Sequence, residues 1–275
     1  MRPAGFIETY IAPMQLPFAI RQAGQRLFRN VPIRIRSGIN QNFKWSIVSS
    51  GRGCGSGSFA KDRLAALQAV VQPGDTFWDI GAHKGFVTLA ASRMVGPAGS
   101  VVSVEPSTRN CWFVRRHVDW NGLNNVIIVP VALSAERGEA PFGGRGDSLA
   151  YSLGHGDEVV EVRTVPEVVA EHGVSLPSVM KIDAEGQEAA ILEGARTCLG
   201  PGLALLISVH GRELHGACTG FLSDRGFRIF ESREMARCSA DPTAPWASDY
   251  DLLAVGPDRA IDEARVLASG LFADG

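Results

Sequence analysis

The sequence predicts a doubly wound α/β domain, and three observations carry that expectation. Short apolar runs of strand length alternate with helical stretches between residues 75 and 255. Such alternation describes a mostly parallel sheet covered by helices on both faces. A glycine-bearing turn, Gly81 to Gly85, joins the first of these strands to its helix, at the end of the sheet where open α/β folds bind ligands. Polar residues also close the apolar runs: Asp79, Glu105, Asp183 and His210 each stand where a strand gives way to a turn.

The elements follow in order. Residues 31–48 alternate loosely and suggest a hairpin or small sheet, and the Gly/Ser tract Ser49 to Ser58 reads as a loop or hinge. Leu64, Leu67, Val70 and Val71 then recur at helical spacing, marking a helix over residues 59–71 that leads into the main domain. Strands are expected at 75–80, 100–105, 126–131, 159–165, 179–183, 203–209, 227–230 and 250–255. Helices are expected near 86–94, 108–121, 167–171, 187–198 and 217–225. Residues 136–158 are glycine-rich and show no period. We divide the chain into an N-terminal extension, residues 1–58, acting as a substrate lid or oligomer contact, and a main domain, residues 59–275.

Composition narrows the function. A net charge of −2 supplies no global field to draw the chain to nucleic acid or an anionic membrane. No apolar run reaches the length of a transmembrane helix; Leu203 to Val209 is strand-length. Pro3, Pro13, Pro17 and Glu8 interrupt the apolar N-terminus, so no signal peptide is read, and residues 6–20 remain as an interfacial or partner-contacting segment. Five scattered cysteines without CxxC spacing read as buried thiols of a reducing cytosol, giving a cytoplasmic expectation.

The chemistry should sit after the strand ends. In the turn Asp79-Ile80-Gly81-Ala82-His83-Lys84-Gly85-Phe86-Val87-Thr88, the glycines let backbone approach a ligand closely. The spacing is not the dinucleotide fingerprint GxGxxG, and an acid before the first glycine suits a cationic or hydroxyl-rich ligand better than a pyrophosphate. The ammonium and sulfonium of S-adenosylmethionine meet that description. Glu105 lies 20 residues beyond Gly85, ahead of Pro106, where an acid accepts hydrogen bonds from ribose hydroxyls. Nucleoside binding follows from these two turns; methyl transfer does not yet.

The segment Met180 to Glu188 carries Lys181, Asp183, Glu185 and Glu188 at one strand end. Such a cluster is costly unless paired or functional, although Glu185 and Glu188 also suit a helix N-terminus. His210 ends the next strand and can take a proton near neutral pH. His210, Glu213 and His215, with Asp183, invite a metal reading, but they would sit on a loop without a known ligand spacing. No metal is assigned.

Together DIGAHKGFVT (79–88), VEPS (104–107), VPVALS (129–134) and MKIDAEGQEAAILEGA (180–195) resemble the FkbM-type methyltransferase family, over about residues 55–256. The resemblance implies a class I methyltransferase (Rossmann-like) fold of seven strands with the last antiparallel. It also implies S-adenosylmethionine as methyl donor and O-methylation of a sugar, small molecule or natural product. By position, Asp79, Gly81, His83, Lys84 and Gly85 would hold the methionine end and Glu105 the ribose, with Ala132 to Ser134 near the adenine; Ala82, Phe86, Thr88 and Pro106 would also bind the cofactor. Lys181, Asp183, Glu185 and Glu188 would line the reaction centre, with Asp183 also near the cofactor and Asp183 or His210 as proton acceptor. Family members often carry an acid before the histidine of strand 203–210; Ser208 stands there.

Rival readings are an N-methyltransferase, a nicotinamide oxidoreductase and an inactive cofactor-binding module. No Asn-Pro-Pro-Tyr-like segment supports the first, no GxGxxG turn the second, and intact Asp79, Glu105 and Asp183 oppose the third. Residues 1–58 and 139–158 are expected to shape the acceptor pocket or a dimer contact.

Overall fold

The computed structural model describes residues 27–49, 53–144, 151–240 and 250–272. The expected partner-contacting segment at residues 6–20 lies outside these, as do residues 50–52 of the Gly/Ser tract and 145–150 of the glycine-rich stretch. In the extension, β1 (Pro32–Arg34) pairs antiparallel with β2 (Lys44–Ser46), and helix α1 (Lys61–Val70) follows. The main run is β3 (Thr76–Ile80), α2 (Phe86–Val95), β4 (Ser100–Val104), α3 (Thr108–Asn121) and β5 (Val126–Val129). After it come β6 (Ala132–Leu133), β7 (Gly138–Gly143), β8 (Ser152–Leu153), β9 (Glu158–Arg163) and α4 (Val165–His172). The chain continues through β10 (Val179–Ile182), α5 (Glu188–Gly194), β11 (Ala204–Val209), α6 (Arg212–Ser223), β12 (Arg228–Glu231), α7 (Arg233–Ala240), β13 (Tyr250–Val255) and α8 (Glu263–Ala268).

Seven strands form the central sheet in the order β12-β13-β11-β10-β3-β4-β5. β13 runs antiparallel to both neighbours, whereas β10, β11, β3, β4 and β5 pair in parallel. The order reverses between β3 and β10, so the first glycine turn and the end of β10 meet at the switch point. Alternating strand residues serve two apolar cores. Trp78, Ile80, Met180 and Ile182 pack with Val168, Ile191 and Leu222 of α4, α5 and α6. Phe77, Val179, Leu206 and Leu253 pack with Leu67, Leu89 and Val266 of α1, α2 and α8.

This alternation decides where the charges go. Asp79 and Lys181 share the parity of Phe77 and Val179, so both point towards the face covered by α1 and α2. Register places Ser103, Asp79 and Lys181 in one cross-strand row, with Ser208 opposite Asp251 nearby.

The structure departs from expectation in four places. The strand expected at 159–165 is β9, and it belongs to a separate four-stranded sheet of order β6-β9-β7-β8. Part of the stretch expected to be irregular forms β7 and β8, because glycines there serve close strand approach: a Cβ on Gly156 would lie 2.6 Å from the Gly143 Cα. α5 stops at Gly194 instead of reaching Cys198, whereas α6 starts at Arg212, where Leu214, Cys218 and Leu222 already repeat at helical spacing. α7 and α8 were not expected at all.

The extension is fastened to α3 by buried polar groups. The Lys44 amide donates to Asn121 Oδ1 at 2.7 Å, and the Ser46 amide donates to His117 Nε2 at 3.0 Å. Nε2 is therefore the acceptor and Nδ1 carries the proton, donated to the Lys84 carbonyl at 2.8 Å. Trp45 stacks on the same ring at 3.9 Å. His117 thus ties the hairpin to the glycine turn. Burial pushes its pKa down to about 4, so the fold holds it neutral. The unfolded chain protonates it near pH 6.5. Its contribution is therefore complete above pH 6.5 and is lost as pH falls towards 4. Between pH 6.5 and 5 this should remove on the order of 2 kcal/mol of stability. Urea unfolding of wild type and His117→Gln at both pH values checks it, since the variant should lack this share of the acid sensitivity.

Candidate active site

The glycine turn is shaped by the end of β10. Gly81 has φ +70°, and a Cβ there would lie 1.9 Å from the Asp183 carbonyl oxygen, so no side chain fits. His83 and Glu185 hold φ of +51° and +49°, a region non-glycine residues rarely adopt and which clusters at functional sites. Gly81, Ala82, His83, Lys84 and Phe86 line a cleft, together with Glu105, Pro106, Ala132, Lys181, Asp183 and Glu185. Phe142, Tyr151 and Leu153 of the small sheet close one side, and Trp45, Phe59 and Arg63 the other. The empty space is about 1270 Å³ including its open mouth.

Glu105 is almost fully buried in the cleft wall. Its Oε2 accepts from the His83 amide at 2.7 Å, and its Oε1 accepts from the Ser107 amide at 3.0 Å and from Asn110 Nδ2 at 3.1 Å. Burial nevertheless pushes its pKa up to about 7, outweighing these donors. Asn110 had no signal in the sequence; it enters because Ser107 caps α3 and turns the first helical residues towards Glu105.

Asp79 and Thr88 lie below the turn and not on the cleft, and Lys181 reaches from this layer to the cleft wall. Asp79 is fully buried: Oδ2 accepts from Thr88 Oγ1 at 2.6 Å, and Oδ1 has no hydrogen bond but lies 3.4 Å from Lys181 Nζ. Lys181 Nζ donates to the Ile80 and Gly81 carbonyls at 3.1 and 2.8 Å. The pair therefore braces the turn from beneath. Thr88 shares this layer, where its Oγ1 lies 3.1 Å from Ser103 Oγ. Gly85 acts as the left-handed N-cap of α2, and Ser134 Oγ donates to Gln187 Oε1 at 3.4 Å, outside the cleft lining.

Asp183, Glu185 and His210 do come together. His210 Nε2 lies 3.3 Å from Glu185 Oε2 and 4.0 Å from Asp183 Oδ1. Behind it, His210 Nδ1 donates to buried Glu188 Oε1 at 2.9 Å. Glu188 also accepts from the Ala184 and Gly186 amides, fixing the loop that carries the other two acids. Burial lowers the pKa of His210, but Glu188, Glu185 and Asp183 outweigh it and raise the value to about 9. His83, by contrast, is pushed down to about 3, chiefly by burial with Lys84 and Lys181 adding to it.

The ligand atoms of Asp183, Glu185 and His210 lie within 4.8 Å of one another, a spacing that could hold a cation. Arg63 Nη1 at 3.5 Å and Lys181 Nζ at 3.8 Å already balance Asp183, so no metal is assigned. His215 separates from His210 and pairs with Glu231 at 3.3 Å. Arg63 and Asp251 were missed by the sequence reading; Arg63 Nε donates to Asp251 Oδ2 at 2.9 Å across 188 residues of chain.

The strand order and a glycine-turn cleft at its switch point define a nucleoside-binding domain of the class I methyltransferase type. The family described as Methyltransferase FkbM domain matches residues 79–229, more than half of the chain. The chain belongs to this family and is an S-adenosylmethionine-dependent methyltransferase. Among solved structures it is similar to precorrin-6y C5,15-methyltransferase from Geobacter metallireducens, at 15% identity over 71% of this chain and 87% of the other, with a TM-score of 0.45. It is also similar to the FkbM methyltransferase from Methylobacillus flagellatus, at 18% identity over 67% of this chain and 48% of the other, with a TM-score of 0.48. A third is Aeropyrum pernix fibrillarin with natively bound S-adenosylmethionine, at 18% identity over 70% and 73%, with a TM-score of 0.45. Among the described residues no helix is long and apolar enough to cross a membrane.

The cleft suits that cofactor chemically. Glu105, Asp183 and Glu185 line it, so a cationic ligand carrying hydroxyls finds acidic acceptors on its walls.

Proposed function

We propose that this enzyme transfers the methyl group to a hydroxyl oxygen of a small molecule or sugar. The observation that carries the reading is Asp183 and Glu185 on the cleft lining with His210 directly behind them, 3.3 Å from Glu185 and held by buried Glu188. A hydroxyl needs to shed a proton as it attacks, and such a set can receive one. Bound S-adenosylmethionine supplies an electrophilic methyl group. The protein's part is to hold the acceptor in line and keep water out. Asp183 and Glu185 orient the hydroxyl, His210 Nε2 behind them receives its proton by way of Glu185, and Lys181 keeps the turn rigid. Phe142, Tyr151 and Leu153 on one side and Trp45 and Phe59 on the other make an apolar-walled site that favours a small acceptor. Trp45, Ser49 and Cys54 of the N-terminal extension serve as part of that acceptor wall, and the net charge of −2 speaks against a nucleic-acid acceptor.

Incubation with carbon-13 methyl-labelled cofactor and a panel of hydroxylated and aminated compounds tests the reading. Methoxyl products identified by NMR support it, whereas methylated amines alone would replace it with N-methylation.

In the same reading Glu105 holds a ribose hydroxyl on the acceptor site that its three protein donors leave, which the ionised carboxylate offers. With a pKa near 7, the ionised fraction rises about tenfold between pH 6 and pH 8. The affinity for S-adenosylhomocysteine should rise by about the same factor, and Glu105→Gln should bind weakly with no such pH dependence. Calorimetric titration at both pH values decides; a wild-type affinity unchanged across them removes Glu105 from the ribose site.

A further inference from the structure

We propose that Arg63 binds the α-carboxylate of the cofactor's methionine moiety. This rests on the cofactor occupying the cleft described above. S-adenosylmethionine presents ribose hydroxyls, a sulfonium and a zwitterionic amino-acid head group. The carboxylate of that head group cannot enter a partly closed site without a cation or several N–H donors.

Four amides of the glycine turn are committed within the protein: those of Gly81 and Ala82 donate to the Val104 carbonyl, that of Gly85 to the Ala82 carbonyl, and that of His83 to Glu105. The other cations of the cleft are engaged elsewhere. Lys181 Nζ is committed to two turn carbonyls and lies against Asp79. Lys84 extends over the Phe113 ring, 5.8 Å from its centroid. His83 is neutral.

Arg63 is placed differently. It reaches from α1 to the cleft wall, where its side chain is 26% exposed. Asp251 fixes it through Nε and is itself oriented by Ser208 Oγ at 2.9 Å. This aims the guanidinium at Asp183 Oδ2, 3.5 Å away, while Asp183 Oδ1 faces His210. A cation beside an anion is the arrangement that an α-amino acid needs, since its carboxylate and ammonium share one carbon. The planar fork of arginine matches a carboxylate through two parallel hydrogen bonds. Apolar neighbours in the same wall, Phe59, Leu67 and Leu206, strengthen the pairing by lowering the local dielectric. Both Arg63 and Asp251 lie outside residues 79–229, so flanking segments of the chain complete the cofactor site.

The test compares S-adenosylhomocysteine with its decarboxylated analogue by calorimetry on the full chain. Wild type should prefer S-adenosylhomocysteine by about tenfold or more, the range of a charge-assisted bidentate contact. Arg63→Met should abolish that preference by weakening only the carboxylated ligand, and Arg63→Lys should restore part of it. A preference that is absent in wild type, or that survives in Arg63→Met, overturns the proposal. Equal weakening of both ligands also overturns it, since that reports general damage. Glu105→Ala separates the two levels. If it weakens both ligands while Arg63→Met leaves the preference intact, the cleft stands and Arg63 falls. If Glu105→Ala changes nothing, the cleft itself is misplaced and Arg63 falls with it.

Discussion

Replacing His210 with Gln should lower turnover at saturating cofactor by about a hundredfold or more, within the 10²–10⁴ that a positioned proton acceptor contributes. Affinity for S-adenosylhomocysteine should stay within about threefold, because His210 stands behind Asp183 and Glu185 and not on the cleft lining. The pH profile makes the test sharper. Three carboxylates hold the pKa of His210 up to about 9, so at neutral pH most of it is protonated and cannot accept a proton. The rate should therefore rise with pH and level off near 9 in kcat/KM, which reports the unliganded enzyme. In kcat the limb should move to lower pH, since a bound sulfonium repels the imidazolium. Stability runs the opposite way: the raised pKa stabilises the fold fully below pH 6.5, and this is lost as pH rises through 9. Glu188→Gln supplies a control. Glu188 does not line the cleft, so it acts through His210, and its loss should shift the limb to lower pH without removing it. Retention of the limb in His210→Gln would show that a carboxylate, with Asp183 the first to test, takes the proton instead.

What the sequence made legible was the end of each parallel strand. Asp79, Glu105, Lys181 and Asp183 stood out because a charge closing an apolar run needs a reason, and the sheet brings those ends to one switch point. The depth of each residue was not legible. The place of Asp79 before Gly81 predicts that it faces the ligand, but strand parity points it under α2, where Thr88 and Lys181 meet it. The residues missed altogether are joined across long stretches of chain: Arg63 with Asp251, and the hairpin with His117. No local pattern announces such contacts, since α1 offers its apolar face and its arginine in the same few residues. The small sheet escaped for another reason. Its glycines, which allow β7 and β9 to close together, are the residues that ordinarily mark a loop.

The second large effect should come from the buried pair beneath the glycine turn. Lys181→Met strands the Asp79 carboxylate, which is fully buried and has no hydrogen bond at Oδ1. Breaking a buried pair from one side costs about 3–5 kcal/mol, because the remaining charge has no water to return to. Asp79→Leu should also cost stability, though less, because Lys181 keeps Asp183 at 3.8 Å as a counter-ion. The double variant is the informative one. Replacing both charges with apolar groups of similar size is often neutral for stability, so Asp79→Leu with Lys181→Met should recover most of what either loses alone. Cofactor affinity should not recover. In the wild type Lys181 Nζ holds the Ile80 and Gly81 carbonyls, and those bonds set the curve of the turn that lines the cleft. The pair would then serve geometry, with stability as its condition and not its purpose. Urea unfolding of the four proteins gives the coupling energy, and calorimetry with S-adenosylhomocysteine gives the affinities. Additive stability losses in the double variant would contradict a direct ion pair. Wild-type affinity in a refolded double variant would show that the turn keeps its shape without the lysine.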